Sequence, residues 1–402
     1  MLIELHLLQN FPPSNLNRDD TGAPKDCELG GHRRARISSQ AIKRAIRDMF
    51  KEDPLLDPGA LAIRTKRLVD DMLVPALVKR GREEETARTI VERVLASVKI
   101  TYGSSEENKK NHLTEYLLFL GRTEIDRLVD LCDREWDGLS GEAQASEEPN
   151  QPRTRRAAKK TSGEAVPAAI TTAVKALLDG GKAADLALFG RMIADLPERN
   201  VDAASQVAHA ISTNRVNMEM DFFTAVDDIP KHDNAGAGML GTVGFNSACF
   251  YRYSNVDLAQ LRGNLGADDD LARKTLEAFL WSSILAIPTG KQNSMAAHNP
   301  PSLILVVARE SGPWNLANAF VKPVWPGQNG NLVDLSVKAL DAYWQKLTAM
   351  YGTRGIVGQW VCTTEDGALS ALSGAQQPNV DTLVASVLAA ASYEKRAGAA
   401  RP

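Results

Sequence analysis

The chain has 402 residues, with 47 Lys and Arg against 50 Asp and Glu, so its formal net charge is −3. This near-balance excludes a histone-like or ribosomal-protein-like chain that binds nucleic acid through bulk charge. Four scattered cysteines without a C-x-x-C pair exclude a disulfide framework and a zinc ribbon. Because neither a basic leader nor an apolar run of about 18 residues is present, we expect a soluble, reduced, cytoplasmic protein.

The N-terminal elements can be read from local patterns. The alternation of apolar and other residues over Ile3–Leu8 predicts a half-buried strand. Residues 10–31 are rich in Pro, Asn, Asp and Gly and predict a loop. Ser38 or Ser39 is then expected to cap a helix over about 40–51.

This helix lies in the most basic part of the chain. Leu29–Lys51 carries seven Lys and Arg against one acid, a local charge of +6, which leaves −9 for the rest. Gly30 and Gly31 would let backbone approach a ligand, the helix start favours anions, and Lys43 and Arg47 repeat at one-turn spacing. These features predict contact with a phosphate backbone. The alternative is a solvated basic face with an ordinary Ser cap, although such faces usually mix charges.

The rest of the chain mixes helices and strands. Residues 61–185 predict a helical subdomain, interrupted by a low-complexity loop at 138–167 that contains a basic run, 153–160. In the second half we expect helices at 203–212, 271–287, 337–350 and 380–393 and strands at 215–220, 249–253, 303–308 and 358–363. Strands that are distant in sequence predict an α+β sheet domain assembled from both ends of the chain.

Enzyme motifs are mostly missing: the sequence has no P-loop, no dinucleotide fingerprint and no zincin motif. A nuclease built from His6 and His209 is conceivable, but isolated histidines are more often structural. The acidic pairs Asp19-Asp20 and Asp227-Asp228 could bind metal, but paired acids beside turns are usually only solvated.

Two apolar segments have two interpretations each. Phe222–Asp228, beside a Gly-rich loop, is either the root of a protruding β-hairpin whose aromatic ring stacks on a base or core packing at a domain edge. In Phe189–Met192, Met192 is either a core residue or functional, and Arg191 is a candidate salt-bridge partner.

Short blocks run along the chain in the order of a known family. They are His6, Pro13–Asp20, Lys25-Asp26, Gly30-Gly31, Arg33–Gln40, Lys43-Arg44, Gly190–Met192, Ala208–Thr213, Asp221–Asp228, Phe250–Tyr253, Gly290–Gln292, Asn299-Pro300 and Ala317–Phe320. With these blocks the chain resembles the CasC family, the repeated backbone subunit of the type I-E CRISPR surveillance complex, Cascade. The resemblance is weakest over 53–185, and the basic run 153–160 departs from the family pattern.

The resemblance implies a hand-like α+β architecture. An RRM-like (ferredoxin-like) palm sheet would comprise 1–58, 186–212 and 248–402. A helical finger domain would span 59–185, and a β-hairpin thumb would span 213–247. Such subunits polymerise head to tail, a contact that does not close and gives a helical filament.

The resemblance also implies a function without bond-breaking catalysis, metal or cofactor. The chain would hold CRISPR RNA by its backbone and leave the bases free to pair with target DNA. Its partners would be further copies of itself and the subunits CasA, CasB, CasD and CasE. By family position, the RNA-binding residues would be Arg18, Lys25, Ser38, Gln40, Lys43, Arg44, Arg47, Met192, Phe223, Thr224, Lys291 and Gln292. Among these, Met192 would wedge against a base, and Phe223 and Thr224 would cover a displaced nucleotide.

Two alternatives stay open. One is a metal-dependent ribonuclease that uses a loop aspartate, Asp19, Asp20, Asp227 or Asp228. The other is a filament subunit that binds only protein, with the basic helix docked on an acidic partner.

Overall fold

A computed structural model describes residues 1–52, 54–144, 166–225, 239–328 and 330–391. The strands in these residues are β1 (Leu2–Ser14), β2 (Asp26–Leu29), β3 (His32–Ile37), β4 (Ala62–Thr65), β5 (Leu118–Gly121), β6 (Ser205–Val207), β7 (Ala210–Ser212), β8 (Glu219–Ala225), β9 (Met239–Asp257), β10 (Leu303–Arg309) and β11 (Ile356–Thr363). The basic run 153–160 and the pair Asp227-Asp228 lie outside the described residues.

Helices alternate with these strands along the chain. They are α1 (Ser39–Phe50), α2 (Val74–Lys79), α3 (Glu84–Ser97), α4 (Glu106–Lys110), α5 (Arg122–Arg134), α6 (Trp136–Gln144), α7 (Ala168–Leu177), α8 (Ala184–Phe189), α9 (Leu258–Asn264), α10 (Asp269–Leu285), α11 (Gln292–Met295), α12 (Leu332–Tyr351) and α13 (Val380–Ala390). In the described part of the chain, no helix is long and apolar enough to cross a membrane.

The chain divides into two compact units. A sheet unit contains 1–55, 205–259 and 273–402, and a helical unit contains 56–204 and 260–272. The sheet unit therefore draws on both ends of the chain. This large antiparallel sheet, together with its helices, confirms the expected α+β fold class.

The sheet unit is organised around β1. The strand order is β11-β10-β1-β9-β7-β3-β2, with β6 and β8 also paired to the long strand β9, and these pairings are antiparallel. The strands expected at 249–253, 303–308 and 358–363 lie within β9, β10 and β11. The helices expected at 271–287 and 337–350 are confirmed as α10 and α12, and the last expected helix is described up to Ala390 as α13.

The prediction that β1 is half-buried is wrong, because both of its faces are covered. Leu8 belongs to a core that includes Leu340 and Trp344 of α12. On the other face, Leu7 lines the same small cavity as Ile42 and Ile46 of α1. Because side chains from Ile3 to Gln9 are buried on both faces of the strand, their alternation does not report exposure.

Burial of β1 encloses a polar network. The hydroxyl of Tyr253 donates to Glu4 at 3.0 Å, and the backbone N–H of Trp314 donates to the same Glu4 oxygen at 2.5 Å. His6 Nδ1 lies 2.9 Å from the hydroxyl of Tyr251. Burial raises the pKa of Glu4 from 4.5 to about 6 and lowers the pKa of His6 from 6.5 to about 3. A buried histidine held in this way is a structural residue.

We expect these two groups to affect stability against pH with opposite signs. As the pH falls from 7 to 5, the unfolded chain binds a proton at His6 that the folded chain rejects, which costs about 2 kcal/mol. Over the same range the folded chain binds a proton at Glu4, which raises the free energy of unfolding by about 1 kcal/mol. Glu4→Gln should therefore steepen the loss of stability between these pH values by about 1 kcal/mol, as measured by urea unfolding.

Glu310→Gln is the matched control, because Glu310 is an exposed carboxylate of the same unit. Its pH profile should follow that of the wild type. If Glu4→Gln also followed the wild type, Glu4 would not hold its raised pKa in the folded protein.

Two predictions of local structure near the sheet are wrong. Residues 10–31 are not one loop, since β1 continues to Ser14 and residues 26–29 form β2. Residues 203–212 are not a helix but contain β6 and β7. Ser205 pairs with Val256 and Ile211 pairs with Tyr251, both on β9. The alanines in this segment favour helix, but pairing with a long neighbouring strand overrides that preference.

The helical unit has its own core. It is formed by residues of α2, α3, α5 and α7, such as Leu77, Ile90, Val94, Leu128 and Val174. A two-stranded sheet, β4–β5, accompanies these helices. Part of the expected loop at 138–167 is helical, because α6 continues to Gln144.

Candidate nucleic-acid interface

Helix α1 presents the basic face that the sequence predicts. Ser38 is its N-cap, and its hydroxyl accepts a hydrogen bond from the backbone N–H of Ala41 at 3.3 Å. The hydroxyl of this buried serine is therefore occupied by the cap. Ile42, Ile46 and Phe50 are buried, which turns the opposite side of the helix outward.

The four polar residues predicted on α1 differ in exposure. Gln40 and Arg44 are exposed, whereas Lys43 and Arg47 are half-buried. The Arg44 side chain is 83% exposed, and its Nε lies 3.6 Å from Asp48. Such an exposed pair is weak, so Arg44 can exchange Asp48 for another anion at little cost.

A cleft of about 960 Å³ brings several of these residues together. Its lining includes five residues predicted to bind RNA: Arg18, Lys25, Ser38, Gln40 and Arg44. The same lining carries four acids: Asp19, Asp20, Asp48 and Glu52. Three cations beside four acids make the cleft mixed in charge, so the basic residues are separate contact points rather than a uniformly positive surface.

Two of the four acids of this cleft, Asp19 and Asp48, have structural partners. Asp19 Oδ1 accepts hydrogen bonds from the hydroxyl of Thr21 at 2.7 Å and from the backbone N–H groups of Thr21 and Ala23. The Thr21 hydroxyl bond in particular holds the pKa of Asp19 below its usual value. Asp48 accepts a bond from Lys51 at 2.6 Å. Among the described residues, no group of three or more His, Cys, Asp or Glu side chains is arranged to hold a metal ion.

The glycines that precede the basic stretch serve the fold. Gly30 and Gly31 form the two-residue turn between β2 and β3, with φ of 61° and 74°. A Cβ at Gly30 would lie 2.5 Å from the carbonyl oxygen of Val321. The close approach that the sequence predicts for a ligand is therefore made by the chain itself.

Lys291 and Gln292 follow the cleft-lining Gly290 but are not part of the lining. The side-chain amide of Gln292 donates to the carbonyls of Pro288 and Ala297, both at 3.2 Å. Gln292 thus fixes its own loop. Lys291 is half-buried and has a positive φ of 53°.

The segment around Phe223 forms a β-hairpin, and the core-packing interpretation is wrong. Strand β8 pairs with β9 from Glu219 to Ala225, so the strand expected at 215–220 begins later than predicted. Phe223 lies opposite Gly241, where a Cβ would collide with its ring. Phe222 is 63% exposed, and Thr224 is also exposed. An exposed aromatic pair on a hairpin is compatible with stacking on a base.

Met192 belongs to the helical unit and is 79% exposed, so it is not a core residue. The preceding Arg191 is buried and forms an ion pair with Glu124 at 2.8 Å, which confirms its interpretation as a salt-bridge partner. Thus one side chain anchors this segment and the next is presented to solvent.

The site prediction omitted two polar residues beside the cleft. Arg36 is half-buried on β3, and its Nη1 lies 3.1 Å from Nδ1 of the exposed His209. Both residues lie in the family blocks, but the sequence assigns neither of them a contact with RNA. The spacing of 173 positions hides this pair from any local pattern.

A family profile matches almost the whole length of this chain. The sequence profile of the family described as CT1975-like protein matches residues 3–386. The chain belongs to the CT1975-like family. None of the curated proteins compared with this CT1975-like chain matches it.

Solved structures show what the fold of this chain is similar to. A chain of a CRISPR RNA-guided surveillance complex, pre-nicking, has a TM-score of 0.83 and 31% identity with the CT1975-like chain, over 97% of this chain and 100% of that one. A chain of another CRISPR RNA-guided surveillance complex has a TM-score of 0.71 and 26% identity, again over 97% and 100%. The expected relation to subunits of CRISPR surveillance complexes (Cascade) is confirmed.

Proposed function

We propose that this CT1975-like chain is the repeated backbone subunit of a type I-E Cascade complex, the CasC role. The observation that carries the proposal is the match in fold, at a TM-score of 0.83, to the entire length of a chain from an RNA-guided surveillance complex. The exposed cations on and around α1 support it, because they offer separate contacts to a phosphate backbone.

In this role the subunit grips CRISPR RNA by its phosphates. Arg18, Lys25 and Arg44 supply charge from the cleft, and Lys43 and Arg47 supply it from the half-buried side of α1. The side chain of Gln40 adds hydrogen bonds, and Ser38 contributes through the N-terminus of α1. Because these groups contact the backbone, the base edges stay free to pair with target DNA.

The remaining predicted residues handle individual nucleotides. The exposed Met192 wedges against a base, and Phe223 and Thr224 on the β8–β9 hairpin cover a displaced nucleotide. Lys291 and Gln292 have a secondary role. Further copies of the subunit bind head to tail along one RNA in the cytoplasm, and CasA, CasB, CasD and CasE complete the assembly.

We further propose that the subunit itself cleaves no bond. Two of the residues that suggested a ribonuclease have structural partners, Asp19 in its own loop and His6 in the core of the sheet unit. Cleavage of RNA that requires Mg²⁺ and is lost on Asp19→Asn or Asp20→Asn would contradict this part of the proposal.

Arg44→Ala tests the grip on RNA. The affinity of the full chain for labelled single-stranded RNA should fall, and the slope of log K against log salt should flatten by about 0.7, the value for one lost phosphate contact. The triple variant Lys43→Ala, Arg44→Ala, Arg47→Ala should flatten it by about 2. Fluorescence anisotropy across a salt series measures both.

Arg354→Ala is the matched control, because Arg354 is exposed in the same unit and lies outside the cleft lining. It should keep the wild-type slope. The wild-type chain, co-expressed with a CRISPR array, should also carry RNA, visible in its absorbance ratio. A complex that purifies without nucleic acid would instead favour the filament subunit that binds only protein.

A further inference from the structure

A second basic cluster adjoins the cleft in the sheet unit. It consists of Lys25 just before β2, Arg36 on β3 and His209 between β6 and β7. The backbone N–H of Arg36 donates to the carbonyl of Lys25 at 2.9 Å, and its side chain meets the His209 ring at 3.1 Å. Lys25 itself lines the cleft, so the cluster continues from that surface.

The hydrogen bonds of this cluster define which atoms can bind a ligand. A guanidinium only donates, so the contact of Arg36 Nη1 with His209 Nδ1 makes Nδ1 an acceptor and places the ring proton on Nε2. Arg36 Nε donates to the carbonyl of Asp26 at 3.0 Å. These bonds hold the guanidinium in place and leave Nη2 of Arg36 and Nε2–H of His209 as donors that they do not use.

The electrostatics of the cluster are unfavourable without an anion. Partial burial, with the charges of Arg36 and Lys25, holds the pKa of His209 below its usual value. These two cations are the charged groups that act on the ring. The nearby carboxylate of Asp26 is paired with Arg33. A bound anion would relieve the repulsion between Lys25 and Arg36 and would favour the protonated form of His209.

We propose that Lys25, Arg36 and His209 together bind one phosphate group of the guide RNA, as an extension of the cleft. The proposal rests on the function proposed above and adds Arg36 and His209 to the RNA-binding residues. Phosphate is the chemistry that the site recognises, because fixed guanidinium and imidazole donors suit its oxygens and its charge. Since a DNA phosphate has the same chemistry, the test includes both nucleic acids.

The proposal predicts a contact that depends on pH. A phosphate beside His209 raises the pKa of its imidazole relative to the free protein, so binding takes up a proton at Nδ1, and Nη1 of Arg36 then donates to the phosphate instead of the ring. RNA affinity of the wild type should therefore rise as the pH falls from about 8 to about 6, near the range where histidine titrates. His209→Gln keeps a polar partner for Arg36 but cannot take up the proton, so its affinity should lose this pH dependence.

The experiment uses the full chain and fluorescence anisotropy with a labelled single-stranded RNA. Arg36→Ala should weaken binding roughly tenfold and flatten the salt slope by about 0.7. His209→Gln should match the wild type at pH 8 and differ from it at pH 6. His298→Ala and Arg354→Ala, both exposed residues of the sheet unit, should keep the wild-type pH profile and slope.

The outcomes separate this inference from the proposed function. If the wild type binds RNA and both cluster variants keep its slope and pH profile, the inference is overturned and the proposed function stands. If the wild type shows no salt-dependent binding to RNA, the proposed function itself fails. If RNA-loaded protein loses affinity only for duplex DNA on Arg36→Ala, the phosphate belongs to DNA and the assignment to guide RNA is overturned.

Discussion

Replacement of Arg34 by alanine should destabilise the sheet unit by about 4 kcal/mol, although this arginine lies within the most basic stretch of the sequence. The side chain of Arg34 is fully buried. Its Nη1 donates to the carbonyls of Ser212 and Thr213 at 3.0 and 2.8 Å, and its Nη2 donates to those of Phe320 and Val321 at 2.6 and 3.1 Å. The guanidinium thus joins β7 to the segment before α12.

The size of the effect follows from the groups left behind. Without the guanidinium, four carbonyl oxygens lose a charged donor, and a buried polar group without its partner costs about 1–3 kcal/mol. Water that enters the vacated volume returns part of this cost. Arg34→Lys should fall between the wild type and alanine, since one ammonium group cannot reach both pairs of carbonyls. Urea unfolding with the midpoint and the slope fitted together measures each variant.

Arg33→Ala is the matched control, because the neighbouring arginine has an exposed side chain that pairs with Asp26 at the surface. This variant should lose less than about 1 kcal/mol. Equal losses at the two positions would contradict the structural role of Arg34. Without urea, the folded Arg34→Lys protein should also retain the RNA affinity of the wild type, because a buried arginine makes no phosphate contact.

Arg34 shows why the local charge of +6 overstates the surface available for RNA. Its partners lie 178 to 287 positions away in sequence, so no local pattern reports its burial. Helix α1 shows the opposite case. Its Ser cap and its basic repeat lie within one short segment, and the sequence predicts both the cap and the extent of the helix to within one residue.

The same distinction separates the residues of the candidate site. Arg18, Lys25, Ser38, Gln40 and Arg44 come from the first 44 residues and were found through family blocks, and they line one cleft. The Arg36–His209 contact joins β3 to the residue before β7, and these two strands pair although they are distant in sequence. It therefore required the structure. The wrong prediction of a helix at 203–212 has the same cause, because pairing with the distant strand β9 determines the structure of that segment.

The second large effect is expected in the helical unit, where Arg191→Met should cost about 3–5 kcal/mol. Arg191 Nη1 lies 2.9 and 2.8 Å from the two carboxylate oxygens of Glu124, and both side chains are buried. Glu124 also accepts the backbone N–H groups of Gly121 and Gly180, each at 2.7 Å. Removing the arginine leaves a buried carboxylate whose remaining donors are neutral.

Urea unfolding measures the loss in the free energy of unfolding, and hydrogen–deuterium exchange of the peptides that cover β5 and α5 shows where the structure is loosened. The double variant Arg191→Met, Glu124→Leu should recover part of the stability, because it removes the uncompensated charge. Recovery should be incomplete, since Gly121 and Gly180 then lose their acceptor. A double variant as unstable as the sum of the two single variants would mean that the charges do not interact.

Met192→Ala is the stability control within the same segment. The same variant also tests whether this segment contributes to RNA binding. Since Met192 is 79% exposed, its truncation should change the free energy of unfolding by less than about 0.5 kcal/mol. If Met192 wedges against a base, the same variant should weaken RNA binding. Arg191→Met should weaken RNA binding as well, because the ion pair affects RNA only by holding Met192 in place. The loss of affinity should therefore increase with the rise in hydrogen–deuterium exchange that this variant shows. Unchanged affinity in both variants would remove Met192 from the interface and leave Arg191 with a purely structural role.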